Sequence, residues 1–478
     1  MATSMIRRLG TSKLLRSPRF RHAERTILSD AFKSEQVWKE RLTYPFFEKI
    51  NAKEFGIEML TQFEQNKNFS PVDVQLFANK IQDLSESFEY VASNILLRYR
   101  HCDSSVPVRD DIMHAIVRGY IDGGHINKLL PLIKDKAQYG IFPDEHSMCL
   151  LLDQLLEDGD YARAAQMAYE VMLQEEYDYQ MRNLLALTAA IKHFCYTMDF
   201  VRKERDPVDP DEDIEYVAVK VITNPYYDDH FDIKDERFLL GKTLYNLSKN
   251  TAMLDPEFSR SLQLIGLGLY EKFELANQLL EDWVKDSSLK NVVYSEALKH
   301  YEDYLNDAPT RDPEAEPVSM SDKTLDDEIE LLKLTPTEKG NCISKFESLK
   351  SSLKEGQTPD VNIEDKINTV LASSAFKKLE KSGGQTFTTN FKSWMEKLKV
   401  DLDSYITVVN KQNKMVEIHN KLVALQEREE LLRYFENSHI LKKITRNMEE
   451  ETKEEEDVVE YVAPPGQRNI KKAKKKKF

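Results

Sequence analysis

QYGIFPDEHSMCLLLDQLLEDGDYARAAQMAYEVM, residues 138–172, is the stretch on which the fold turns. It places Gly140, Pro143 and Asp144 within five residues, in a chain that otherwise reads as helical over long distances. Gly140 suits the left-handed conformation that ends a helix. Pro143 cannot continue a helix, and it biases Phe142 toward extended backbone. Asp144 is a strong N-cap, its carboxylate free to accept amides of the next helix, and Glu145 is favourable in the first turn. A surface loop would explain each residue singly. A unit boundary explains them together, if the pattern recurs.

It recurs upstream. In DDIMHAIVRGYIDGGHINKLLPLI (110–133), aligning Gly124 with Gly159 gives an offset of 35 residues. At that offset Ile116 matches Leu151, Val117 matches Leu152 and Ile121 matches Leu156; past the turn, Ile126 matches Tyr161, Leu129 matches Ala164 and Leu132 matches Met167. Each unit reads as helix, tight glycine-containing turn, helix, with apolar positions spaced by three and four. Weaker copies flank the pair. SPVDVQLFANKIQDLSESFEYVASNILLRYR (70–100) carries Phe88 and Ala92 where Ile126 and Leu129 stand, and MRNLLALTAAIKHFCYTM (181–198) supplies a further first helix. FSRSLQLIGLGLYEKFELANQLLEDWV (258–284) repeats the pattern with Phe273 and Ala276. The expected fold is all-α: a helix-turn-helix solenoid over 30–305, then long C-terminal amphipathic helices.

A 35-residue helix-turn-helix unit ending G-[IV]-x-P-D resembles the pentatricopeptide repeat. The tetratricopeptide alternative has a different length and a Trp/Tyr/Pro signature that fits less well. The match narrows over KAQYGIFPDEHSMCLLLDQLLEDGDYARAAQMAYEVMLQEE (136–176). Through Gly140 to Asp144, then Glu170, Val171, Met172 and Gln174-Glu175, it resembles family number twenty-seven of the mitochondrial small-subunit ribosomal proteins. That resemblance implies a structural component without catalytic activity. Its implied partners are mitochondrial small-subunit rRNA and other mitochondrial small-subunit ribosomal proteins.

Base-reading repeats use one side chain early in the first helix and one at the unit's end. In this register those places hold His114 with Asp144, then Cys149 with Tyr179. Only Asp144 has the expected chemistry; His114 reads as a half-buried structural histidine, and Cys149 and Tyr179 as packing residues. The 478-residue chain carries a formal charge of −15, so it does not adhere to nucleic acid by bulk electrostatics. The repeats are therefore expected to serve as a curved scaffold rather than an autonomous sequence reader.

The two ends are the basic parts. Residues 1–23, MATSMIRRLGTSKLLRSPRFRHA, hold Arg7, Arg8, Lys13, Arg16, Arg19 and Arg21 with no acid before Glu24. That is a mitochondrial transit-peptide pattern, assigned to 1–25, with delivery to the matrix; a basic RNA-binding arm is the competing reading. At the other end, EEETKEEED (449–457) gives way to QRNIKKAKKKKF (467–478). Arg468, Lys471, Lys472, Lys474, Lys475, Lys476 and Lys477 are the candidate RNA-binding residues, since each neutralised phosphate releases counterions. Alone, such a run also fits a nuclear signal or a solvating end; beside the leader it reads as an rRNA anchor.

Between them, NDAPTRDPEAEPVSMSDKTLDDE within 306–328 reads as an acidic disordered linker. A helical region follows over 329–448, then an acidic-to-basic tail over 449–478. From Phe391 the chain lacks Gly and Pro for 45 residues, and Phe391, Met395, Leu398, Leu402, Tyr405, Val409 and Val416 trace a seam. Gln412 breaks it and the line moves to Met415, Leu422 and Leu425. Such a helix packs on a partner: an earlier helix such as 341–353, or another protein. The coiled-coil character rests on this seam.

Other chemistries find no support in the spacing. Cys102, Cys149, Cys195 and Cys342 form no C-x-x-C pair and read as reduced thiols, and no H-E-x-x-H is present. DPVDPDED (206–213) lacks the central glycine of a calcium loop. There is no P-loop, G-x-S-x-G or dinucleotide fingerprint. No enzyme activity, cofactor, metal, membrane span or small-molecule substrate is expected. The alternative function is a free mitochondrial pentatricopeptide-repeat factor that binds transcripts.

Overall fold

The computed structural model describes residues 27–84, 89–106, 109–197, 227–286, 290–313, 332–353 and 357–459. The fold is all-α as expected; the β-type pairing among the described residues is one isolated bridge between Thr310 and Leu334. The leader 1–25, Phe88, the 206–213 stretch and most of the acidic linker lie outside the described residues, as do Arg468, Lys471, Lys472, Lys474, Lys475, Lys476 and Lys477. Contacts divide the chain into Met1–Lys397 and Leu398–Phe478.

In the first unit, the stretch that decided the fold behaves as read. Helices Asp110–Asp122 and Ile126–Lys134 form one hairpin, and Glu145–Glu157 and Tyr161–Gln174 the next. The backbone repeats the 35-residue offset bond for bond. His125 N–H reaches Tyr120 O at 2.9 Å and Gly124 N–H reaches Ile121 O at 3.0 Å; Asp160 reaches Leu155 at 3.0 Å and Gly159 reaches Leu156 at 3.2 Å. Gly124 and Gly159 sit at φ 73° and 69°, satisfying the last carbonyls of each first helix. The same pair of bonds recurs from Lys272 to Leu267 and from Glu271 to Gly268, with Glu271 forced to φ 61° in the glycine's place. This third turn joins Pro256–Leu269 to Phe273–Lys285, where Phe273 and Ala276 are buried.

At the boundary itself Gly140 takes φ 62° and closes the short helix Lys136–Tyr139, its N–H on Lys136 O at 3.0 Å. Asp144 is the N-cap of the next helix and accepts from His146 N–H at 3.2 Å. The punctuation is thus a helix stop, a proline spacer and a cap.

Helices Glu236–Asn250 and Pro256–Leu269 share the most extensive helix contact of the unit, and glycines make it possible. A Cβ on Gly241 would lie 2.6 Å from Gly266 O, and one on Gly266 would lie 2.6 Å from Gly241 O. Further along, Phe273, Leu280, Tyr301, Cys342 and Phe346 share one core cluster. Helix Pro336–Ser352, which spans nearly all of the 341–353 stretch, packs on helix Phe273–Lys285.

Two segments close over the hairpins. Residues 27–48 are a strap of short helices with Leu28, Phe32, Trp38 and Phe47 almost fully buried. Each such side chain contributes roughly 1.5–3 kcal/mol of burial. Asp153, 1% exposed, anchors the strap: it accepts the amides of Ile27 (2.8 Å) and Leu28 (3.1 Å) and pairs with Lys33 Nζ at 3.1 Å. The second segment is the start of helix Ser374–Val459, which begins well before Phe391 and runs through Gly383 and Gly384. A Cβ on Gly383 would meet Tyr179 Oη at 2.5 Å and the Phe32 ring at 2.9 Å, so the glycine pair seats this helix on the strap.

In the unit from Leu398 onward the described backbone is helical to Val459. Ile406, Met415, Leu422, Leu425, Leu431 and Leu432 are exposed there, and Arg433–Glu429 and Arg446–Glu450 pair one turn apart.

Candidate functional site

The places that would read bases are the first candidates, and the structure brings them together inside the molecule. His114 projects from the first helix of its hairpin and Asp144 caps the next; His114 Nδ1 lies 3.1 Å and 3.2 Å from the two Asp144 carboxylate oxygens. His114 is fully buried rather than half-buried, and the Asp144 side chain retains 10% exposure. Burial would raise the Asp144 carboxyl, but the charge and hydrogen bond of His114, with the Ser147 hydroxyl, hold it down at about 2. The neighbouring pair behaves as packing. Cys149 is fully buried, its thiol pushed well up by burial, and the Tyr179 phenol is raised for the same reason.

Aromatic rings then close the face. Phe387 stacks on His146 with centroids 3.8 Å apart and planes 10° from parallel, while Phe32 stacks on the same imidazole at 4.8 Å. Phe387 and Trp394 lie 4.7 and 5.8 Å from His114, and Trp38 meets it edge-on at 5.4 Å. Trp38 is fixed by Nε1–H donating to Asp122 Oδ2 at 2.6 Å and by the Arg41 guanidinium 3.4 Å over its ring. His146 Nε2–H donates to Phe32 O at 2.9 Å, which sets its tautomer. Burial, helped by the neighbouring His114, pushes the His146 imidazole down to about 3.

Sequence reasoning found His114 and Asp144 but missed what covers them. Trp38 and Phe32 lie before any repeat signal. Phe387 and Trp394 lie in a helix that starts at Ser374, well before Phe391, and neither is on the seam read from the sequence. The available signal was the aromatic spacing Phe387, Phe391, Trp394, which puts three rings on one helix face.

The remaining chemistry is sparse. The four cysteines are free thiols. Among the described residues no group of three His, Cys, Asp or Glu side chains is placed to hold a metal, and no helix is long and apolar enough to cross a membrane.

Fold and site together define an all-α protein of helical hairpins whose most prominent polar pair is an internal contact beneath its own strap and helix. The sequence model for the family described as Mitochondrial 28S ribosomal protein S27 matches residues 1–429. The chain belongs to that family, and is accordingly a mitochondrial protein of the small ribosomal subunit.

Proposed function

We propose that the protein is a non-catalytic scaffold of the small subunit, contacting small-subunit rRNA and neighbouring ribosomal proteins in the mitochondrial matrix. In this reading residues 1–25 are a transit peptide and 30–305 a divergent pentatricopeptide solenoid. The acidic linker of 306–328 precedes a helical region over 329–448, and the tail of 449–478 anchors rRNA. Contact with rRNA runs through Arg468, Lys471, Lys472 and Lys474 to Lys477, which are cations on a chain of charge −15. The exposed apolar seam from Met415 to Leu425 docks a neighbouring protein in coiled-coil fashion.

The observation that carries this reading is the closure of His114 and Asp144 by Phe387 and Trp394. A transcript-binding factor needs those positions open to bases; a scaffold needs them only for shape. Sedimentation of mitochondrial lysate tests it. The protein is expected to migrate with small subunits through a salt wash, and its retention in light fractions, bound to messenger RNA, would sink the proposal.

A further inference from the structure

Beside the closed pair lies a cavity of about 720 Å³, walled by the repeat boundary on one side and helix residues Gly383, Phe387, Asn390 and Trp394 on the other. Its lining holds four carboxylates, Asp110, Asp144, Glu145 and Glu176, against two cations, Lys136 and Arg182. Asp110 and Glu145, in the first turns of successive hairpins, line it and have no ion-pair partner among the described residues. Burial and the surrounding carboxylates, Asp144 and Glu176 among them, raise both carboxyls, although the Arg182 guanidinium draws Glu145 partly back. Of the two cations on the wall, Lys136 pairs with Glu170 and Arg182 with Glu176, while Arg182 Nε stays buried without a hydrogen-bond partner.

A second observation is independent of those acids. His146 lines the cavity, is 4% exposed, and uses Nε2–H on Phe32 O. Its Nδ1 is therefore an acceptor, buried and without a hydrogen-bond partner. An unfilled acceptor, two unpaired carboxylates and the aromatic rings of Phe142, Tyr179 and Trp394 suit a ligand with N–H donors and positive charge.

We infer that this cavity receives an arginine or lysine side chain from a basic segment of a neighbouring protein. The inference deepens the scaffold reading by giving it a docking point, and it rests on binding by the isolated chain, which co-sedimentation does not measure. The guanidinium would lie against the aromatic wall with its N–H groups on Asp110 and Glu145. Nucleic acid is disfavoured here because its phosphates would face the same carboxylates.

The test uses the full chain and a fluorescein-labelled Gly-Ser-Arg-Lys-Arg-Ser-Gly peptide at physiological salt, with a citrulline/norleucine counterpart lacking the charges. The charged peptide is expected to bind and its counterpart not. Asp110→Asn with Glu145→Gln should weaken binding about tenfold or more. Asn390→Arg, which supplies a cation from the opposite wall and touches no carboxylate, should do the same in a chain of unchanged thermal stability. Three results would overturn the inference: equal binding of the neutral peptide, an equal loss from Glu417→Gln with Glu427→Gln on the exposed helix, or higher peptide affinity after deleting 467–478. The last would make the chain's own tail the occupant.

Discussion

Phe387 lies flat on His146, 3.8 Å between ring centroids and 10° from parallel, and a residue near the start of the long helix thereby seals the boundary between two hairpins. The stack has Phe32 on its other side, so three segments far apart in sequence meet in one column. Phe387→Ala should therefore destabilise the first unit by about 3–5 kcal/mol, the usual range for deleting a buried aromatic. Denaturant titration reads this directly. A change under about 1 kcal/mol would mean that the column is not a closing element.

Acid should loosen the same column. The His146 imidazole is held near 3 against 6.5 when free, so the unfolded chain binds the proton first. For a base depressed by folding, stability is complete above the free value and falls as pH drops from 6.5 toward 3. Asp144 adds a later loss, because its stabilisation is present above 3.8 and disappears as pH falls toward 2. His146→Phe keeps the stack and removes the first process. Its stability between pH 6 and 4 should be flatter than the parent's by a few kcal/mol, on the order of 1.4 kcal/mol per unit. Parallel profiles would contradict the assignment.

Two kinds of glycine should respond differently to alanine. At Gly241 the added methyl meets backbone atoms of the facing helix at 2.6 Å, so the helices must separate. At Gly159 nothing lies within 4 Å and only the left-handed φ of 69° is at stake. Gly159→Ala should cost about 1–2 kcal/mol. Gly241→Ala should cost more, about 3 kcal/mol or above, since overpacking here pushes on backbone. Thermal unfolding of both variants ranks them; the reverse order would show that the helices slide apart freely.

Removal of residues 467–478 should weaken binding to small-subunit rRNA and flatten its salt dependence. Each phosphate that the tail no longer neutralises takes about 0.7–0.9 from the slope of log affinity against log salt. An unchanged slope would locate the rRNA interface elsewhere. His114→Ala, by contrast, should leave RNA sequence preference unaltered, because that imidazole is fully buried.

What the sequence made legible was whatever backbone rules dictate. Gly124, Gly140 and Gly159 announce left-handed residues, and Asp144 announces a cap, because few other side chains do those jobs. The third copy of the turn was legible from Phe273 and Ala276 rather than from its own centre, since Glu271 occupies the left-handed place without a glycine to mark it. The cover over His114 was illegible for a different reason. Periodicity reports that a helix has an apolar face and is silent on which distant surface receives it. Gly383 in that helix is kept for close approach to Phe32 and Tyr179, which no local pattern announces. The cavity between Asp110 and Glu145 is likewise a tertiary fact, made when two first turns come side by side.

Ser29 N–H donates to Glu380 Oε1 across 351 positions of chain. A polypeptide made from its N-terminus acquires every hairpin helix up to Phe273–Lys285 before that carboxylate arrives. Until then Phe32, His114 and His146 have no Phe387 or Trp394 above them. The last stretch of the unit to be made is therefore the one that hides its stickiest face, and a copy cut short before residue 380 stays visibly unfinished to any chaperone that recognises bare aromatic rings.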